Sequence, residues 1–175
     1  GIKEQPVNIG DIEKYIGDMS IKNNYKLPNC EQERNEKIAI IGSGPAGLTC
    51  AAFLRRNGFK VTIYEKYSQL GGILRNGIPN FRLDKSILDN TIQKILDLGI
   101  ETKCGMELGK NLDLNELQKE YNAIFLAIGA NITKNMEIKG EELTGVYGGN
   151  ELLELNNHPT YVGKQIAVVG GGNVA

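Results

Sequence analysis

The sequence predicts an α/β fold built on a parallel sheet, preceded by a helical arm. Three observations carry that expectation. From Lys37 onward, short apolar runs alternate with stretches of helical composition. The first two runs and the stretch between them span about 30 residues, the size of a crossover between parallel strands. The join between the first run and the first helix is "GSGPAG", residues 42–47, which lets a chain leave a strand and enter a helix in one tight turn.

The elements follow in order. Residues 6–19, "PVNIGDIEKYIGDM", place Val7, Ile9, Ile12, Tyr15, Ile16 and Met19 at spacings of three and four, so a short amphipathic helix is expected, packed as an arm on the main body. Residues 20–36 are polar, contain Pro28 and lack periodicity, and read as a linker. "KIAII" (37–41) reads as a strand, 44–58 as a helix closed by Gly58, and "KVTIYE" (60–65) as a second strand. After a loop containing glycines, residues 83–99 carry Ile87, Leu88, Thr91, Ile92, Ile95 and Leu96 on one helical face, and Gly99 ends the helix. A strand at 100–104, a helix at 113–121 and the most apolar strand, "AIFLAIG" (123–129), come next. "QIAVVGGG" (165–172) repeats the strand-into-glycine grammar of the first turn.

Composition narrows the function classes. Among 175 residues, 20 Lys and Arg oppose 21 Asp and Glu, so no global field draws in nucleic acid or an anionic membrane, and any anion must be bound locally. No apolar run approaches the roughly 18 residues of a membrane span. Cys30, Cys50 and Cys104 are far apart and odd in number, which favours reduced thiols, no metal framework and a cytoplasmic setting. Cys50 lies in a helix beside Ala51 and Ala52 and reads as core, and His158 lies in a polar "NNHPT" loop and reads as solvated.

The chemistry concentrates around the first turn. Gly42-x-Gly44-x-x-Gly47 leaves a strand and enters a helix, and Glu65 lies 18 positions after Gly47 at the end of the next strand. That is the context a dinucleotide-binding, Rossmann-like fingerprint requires. Gly42 permits the turn, Gly44 lets a pyrophosphate approach the backbone, and Gly47 lets the helix lie close on the strand. The N–H groups at the helix start face the phosphates, and Glu65 accepts hydrogen bonds from the adenosine ribose while repelling a 2′-phosphate. The site suits FAD or NAD, and not NADP. If nothing binds, the same residues are a plain strand-turn-helix with Glu65 as a solvated strand end. Beyond it, Gly71-Gly72 opens a long irregular loop carrying Arg75 and Arg82, suited to passing a flat ring and a second phosphate, with Arg82 as ion partner.

These residues resemble a known family: the glutamate synthase small subunit and NADPH-dependent ferredoxin oxidoreductases, together with the N-terminal half of dihydropyrimidine dehydrogenase. The stretches that carry the resemblance are "PVNIGDIEKYI", "IAIIGSGPAGLTCAAFLRRNGFKVTIYEK", "GGILRNGIPNFRL", "ILDLGIE", "AIFLAIGA", "IKGEELTGVYGGNELL" and "GKQIAVVGGGNVA", in family order over nearly the whole chain. The resemblance implies FAD held by Gly42, Gly44, Pro45, Ala46, Gly47, Glu65, Lys66, Gly72, Ile73, Arg82 and Leu108. Gly129 corresponds to a second FAD contact, but Ala127-Ile128-Gly129 lacks the hydroxyl of the family's ATG-type stretch, which restricts it to a backbone role. Gly170, Gly172 and Ala175 match the opening of a turn for NAD(P)H in an inserted domain.

The resemblance therefore implies three segments: a helical arm and linker (1–36), an incomplete Rossmann-like FAD-binding domain (37–160), and the first strand and turn of an NAD(P)-binding domain (161–175). The chain then reads as a fragment of a longer oxidoreductase, inactive by itself. Its electrons would pass from NAD(P)H through FAD towards iron-sulfur clusters and a larger catalytic subunit or ferredoxin-type acceptor. The alternative is an NAD-binding dehydrogenase or regulatory module without flavin.

Overall fold

The computed structural model describes residues 6–154 and 159–172; His158 and Ala175 lie outside them. Four strands, β1 (Lys37–Ile41), β2 (Lys60–Glu65), β3 (Glu101–Cys104) and β4 (Ala123–Leu126), form one sheet in the order β3-β2-β1-β4. All pairings are parallel, with Ile40 opposite both Ile63 and Phe125. Parallel neighbours need crossovers. These are supplied by α2 (Pro45–Arg56), by α3 (Ile73–Asn76) with α4 (Lys85–Leu96), and by α5 (Leu114–Glu120). Two further helices, α1 (Ile9–Lys22) and α6 (Gly149–Glu154), flank this unit in sequence.

Successive strand residues face opposite sides of a sheet, so the two central strands, apolar almost throughout, are covered on both faces. On one face Ile40, Val61 and Ile63 pack with Leu48 and Ala51 of α2 and Leu88 and Ile92 of α4. On the other, Ala39, Ile41 and Tyr64 pack with Leu117 of α5, Leu112 and Tyr121. The edge strand β3 is exposed along its length and carries Glu101 and Lys103, charges that discourage further pairing.

Several expectations are corrected. The first helix forms at 9–22 in place of 6–19, because the Asn8 side chain accepts from the Asp11 N–H at 3.3 Å and sets its start. Its apolar face is not packed: Ile9, Ile12, Tyr15 and Ile16 are all exposed. The end of the linker is docked. The Arg34 N–H donates to the Gly58 carbonyl at 2.8 Å, the Lys60 N–H to Glu36 at 3.0 Å, and Arg55 pairs with Glu33 at 2.5 Å. The strand expected over 123–129 ends at Leu126, and Phe125 and Leu126 are exposed because β4 is an edge strand with a neighbour on one side only. Residues 165–172 form no strand. A strand persists by pairing its backbone, and this segment has no partner strand among the described residues, leaving Ile166, Val168 and Val169 exposed.

Candidate functional site

All four strands point their carboxyl ends to one side. Because β2 and β3 lie to one side of β1 and β4 to the other, the sheet reverses its order beside β1, the position at which open α/β sheets hold ligands in a crevice outside the strand ends. The chain crosses this point at residues 42–44. The Gly42 N–H donates to the Tyr64 carbonyl and the Ala127 N–H to the Ile41 carbonyl, each at 2.8 Å, so the turn is fastened to both neighbouring strands.

The four glycines here are present for different reasons. Gly42 has φ of +104°, and a Cβ there would lie 2.2 Å from the Ala127 carbonyl oxygen. A Cβ on Gly47 would lie 2.0 Å from the Gly42 carbonyl oxygen, so α2 rides directly on the turn. Gly72 has φ of +51° and would place a Cβ 2.8 Å from the Gly44 Cα, so the glycine doublet is seated against the turn. Gly44 differs from all three. Its backbone is extended, at φ −69° and ψ −175°, and a Cβ would meet no atom within 4 Å. Neither conformation nor packing requires glycine there, and the space it leaves opens over the start of α2.

That helix start is bare. Asp84 and Asp113 cap α4 and α5 through their carboxylates, whereas Gly44 caps α2 with no side chain and Pro45 supplies no N–H. The N–H groups of Ala46 and Gly47, with the positive end of the helix dipole, are thus offered to an external anion. A pyrophosphate fits this cradle.

Glu65, at the end of β2, is only 3% exposed and is no solvated strand end. Its Oε2 accepts the Ser43 N–H at 2.9 Å and also the Ser43 hydroxyl, and its Oε1 accepts the Tyr67 N–H at 3.0 Å. The Ser43 hydroxyl accepts in turn from the Gly71 N–H at 3.0 Å. Ser43 escaped the sequence reading because it occupies the unspecified position between two glycines; its one signal is a hydroxyl within reach of an acid at the next strand's end.

The structure thus brings Gly42, Ser43, Gly44, Gly47, Glu65, Gly71 and Gly72 together. Pro45 and Ala46 open α2 beside them and are exposed, and Ile73 opens α3 directly after Gly72. Lys66 follows Glu65 with its ammonium 4.5 Å over the Tyr67 ring, and a hydrogen bond with Tyr67 pushes its pKa above the ordinary lysine value. Arg75 is pinned to the Leu70 carbonyl and the Asp89 carboxylate, whereas Arg82 is exposed on the loop. Leu108 is half-buried against the second core cluster, and Gly129, at φ +74°, is exposed just past β4. Gly170 and Gly172 are exposed, and a Cβ on either would meet nothing within 4 Å.

Other features lie elsewhere or carry no such chemistry. A cavity of about 700 Å³ is lined by Cys30, Glu33, Phe53, Arg56 and Asn57, at the opposite end of α2 from Gly44. Apart from half-buried Cys30, the named walls are exposed side chains without a bare helix start, so the strand-end crevice is the better candidate. Burial pushes the Cys50 and Cys104 thiols up, away from the thiolate. Among the described residues no cluster of His, Cys, Asp and Glu could hold a metal, and no helix is long and apolar enough to cross a membrane.

Residues 36–175 match the family model of pyridine nucleotide-disulphide oxidoreductases. The chain is 38% identical over 188 residues to the NADH glutamate synthase of Schizosaccharomyces pombe, covering 99% of the chain and 9% of that protein. It is 34% identical over 184 residues to the NADPH glutamate synthase small chain of Escherichia coli, covering 97% of the chain and 39% of that protein. The chain therefore spans well under half the length of these relatives. Among solved structures, FprA of Mycobacterium tuberculosis in complex with NADPH superposes with a TM-score of 0.65 at 23% identity, over 69% of this chain and 28% of FprA. That likeness shows the fold.

Proposed function

From the premise that the chain belongs to the pyridine nucleotide-disulphide oxidoreductase family, we propose that it is the FAD-binding part of an NAD(P)H-dependent oxidoreductase of the glutamate synthase small-chain kind. The observation that carries the reading is the open space over Gly44 at the uncapped start of α2. Gly42 and Gly47 hold the turn and the helix in register, and the Ala46 and Gly47 N–H groups bind the pyrophosphate. Glu65 takes a ribose hydroxyl of the adenosine and Lys66 flanks it. Gly72, Ile73 and Arg82 line the path of the second half of the dinucleotide, and Leu108 and Gly129 contribute apolar surface and backbone. Bound there, FAD supplies the exchange between two-electron and one-electron chemistry, while the protein orients it and excludes water.

In the same reading Gly170, Gly172 and Ala175 open the turn of an NAD(P)H-binding domain that begins near residue 161. The electrons leave towards iron-sulfur clusters and a larger catalytic subunit or ferredoxin-type acceptor, in the cytoplasm. The relatives' printed names, glutamate synthases that use NADH or NADPH, support this place for the chain.

The test is titration of the purified, flavin-stripped protein with FAD and, separately, with NAD. Saturable FAD binding accompanied by a yellow, flavin-like spectrum supports the reading. Binding of NAD with none of FAD establishes the flavin-free dehydrogenase alternative instead.

A further inference from the structure

Ser43 is wholly buried, and both its N–H and its hydroxyl are committed to other elements of the site. Its N–H and hydroxyl both donate to Glu65 Oε2, and its hydroxyl oxygen accepts from the Gly71 N–H. A carboxylate oxygen offers about two acceptor positions. Oε2 is therefore filled from within the chain, and Oε1, which takes the Tyr67 N–H, keeps a single open position. The same hydroxyl ties the end of β2 to the doublet Gly71-Gly72, whose second member lies against Gly44. One side chain thus joins the turn, the acid and the loop that form three walls of the crevice.

We propose that Ser43 is a positioning residue for the bound dinucleotide: it commits Glu65 Oε2 to the turn, leaves Oε1 as the one ligand-reading position, and holds Gly71-Gly72 against Gly44. This rests on the flavin reading given above. Its consequence for specificity is that Glu65 takes one ribose hydroxyl, and any second hydroxyl is bound by another group.

The proposal is tested by a double-mutant cycle on FAD affinity in the full-length protein, with thermal unfolding and Gly71 amide exchange followed in parallel. Ser43→Ala is expected to weaken FAD binding roughly tenfold and to speed exchange at Gly71. In a Glu65→Gln background the same change is expected to weaken FAD binding clearly less than tenfold, because the share of its effect that passes through the carboxylate is already lost while the Gly71 contact remains. Penalties that multiply independently, or a lower melting temperature with unchanged FAD affinity, overturn the proposal while leaving the flavin reading intact. A wild-type protein that binds no FAD overturns both. Should the alanine variant not fold, Ser43→Cys, which keeps a weak donor and acceptor, takes its place in the cycle with the same two outcomes.

Discussion

Ser43 and Glu65 lie 22 residues apart, yet the Ser43 amide and hydroxyl both donate to one Glu65 oxygen, closing the turn after β1 onto the end of β2. A buried carboxylate without donors would be costly; this one receives three from the chain, which fixes its rotamer before any ligand arrives. Preorganisation of this kind lowers the ordering cost of binding.

Glu65→Ala removes the acceptor from Ser43 and Tyr67 together with the proposed ribose contact. FAD affinity is expected to fall by about 1–3 kcal/mol, the usual cost of leaving hydroxyls and amides unpaired. Calorimetric titration of the refolded apoprotein measures it, and an unchanged affinity would remove Glu65 from the ribose site.

A pH effect follows from the second face of the sheet. The Tyr121 hydroxyl is 2.9 Å from that of Tyr64 at the edge of that core, and burial pushes the Tyr121 pKa up to about 12. Below pH 10 the phenol is neutral in folded and unfolded chains alike, so its contribution is constant. Between pH 10 and 12 the unfolded chain loses the proton and the folded one keeps it, so stability falls with rising pH by up to roughly 2–3 kcal/mol. Urea unfolding from pH 9 to 12 should show this alkaline loss in the wild type and a flatter profile in Tyr121→Phe.

The Asp113 carboxylate accepts from the Asn115 and Glu116 N–H groups at 2.8 and 3.1 Å and so starts α5, whose Leu117 plugs the second core cluster. Asp113→Ala should cost about 1 kcal/mol of stability, with Asp113→Asn or Asp113→Ser nearly neutral. Equal losses in all three variants, read from denaturant midpoints, would point to a role other than capping.

The legible parts of the sequence were those where local and tertiary demands agree. In β1, α2 and β2, apolar period, glycine turn and strand length point to one structure, and the observed bounds match the expected ones to within about two residues. The one-turn helix α3 carried no periodic signal, since it is held from outside: the Lys85 ammonium donates to the carbonyls of Leu74 and Ile78 at 2.8 and 2.5 Å. Residues 165–172 show the reverse failure, a strand-like composition with no partner strand among the described residues. Within the site, Gly42 and Gly47 were readable because each meets a backbone requirement of the turn at fixed spacing. Ser43 was not, because its role depends on two contacts that exist only once β1 lies beside β2.

The sharpest separation of fold from function lies between Gly42 and Gly44, two residues apart in one turn. At Gly42 an alanine must adopt φ near +104° and place its Cβ 2.2 Å from a backbone oxygen that belongs to the segment following β4. Neither can relax without parting β1 from β4, so Gly42→Ala is expected to destabilise the protein by several kcal/mol, with loss of flavin as a secondary effect. At Gly44 the backbone is one any residue adopts, and the side chain projects into open space. Gly44→Val should therefore cost no more than about 1 kcal/mol, the difference between glycine and valine at a helix N-cap, and leave the melting temperature within a few degrees of wild type. It should nonetheless abolish FAD retention, because the valine methyls occupy the volume proposed for the pyrophosphate. Differential scanning calorimetry and the flavin-to-protein absorbance ratio of the two purified variants read both halves of the prediction. A Gly44→Val protein that keeps stoichiometric flavin would show that the space over Gly44 is not the phosphate cradle.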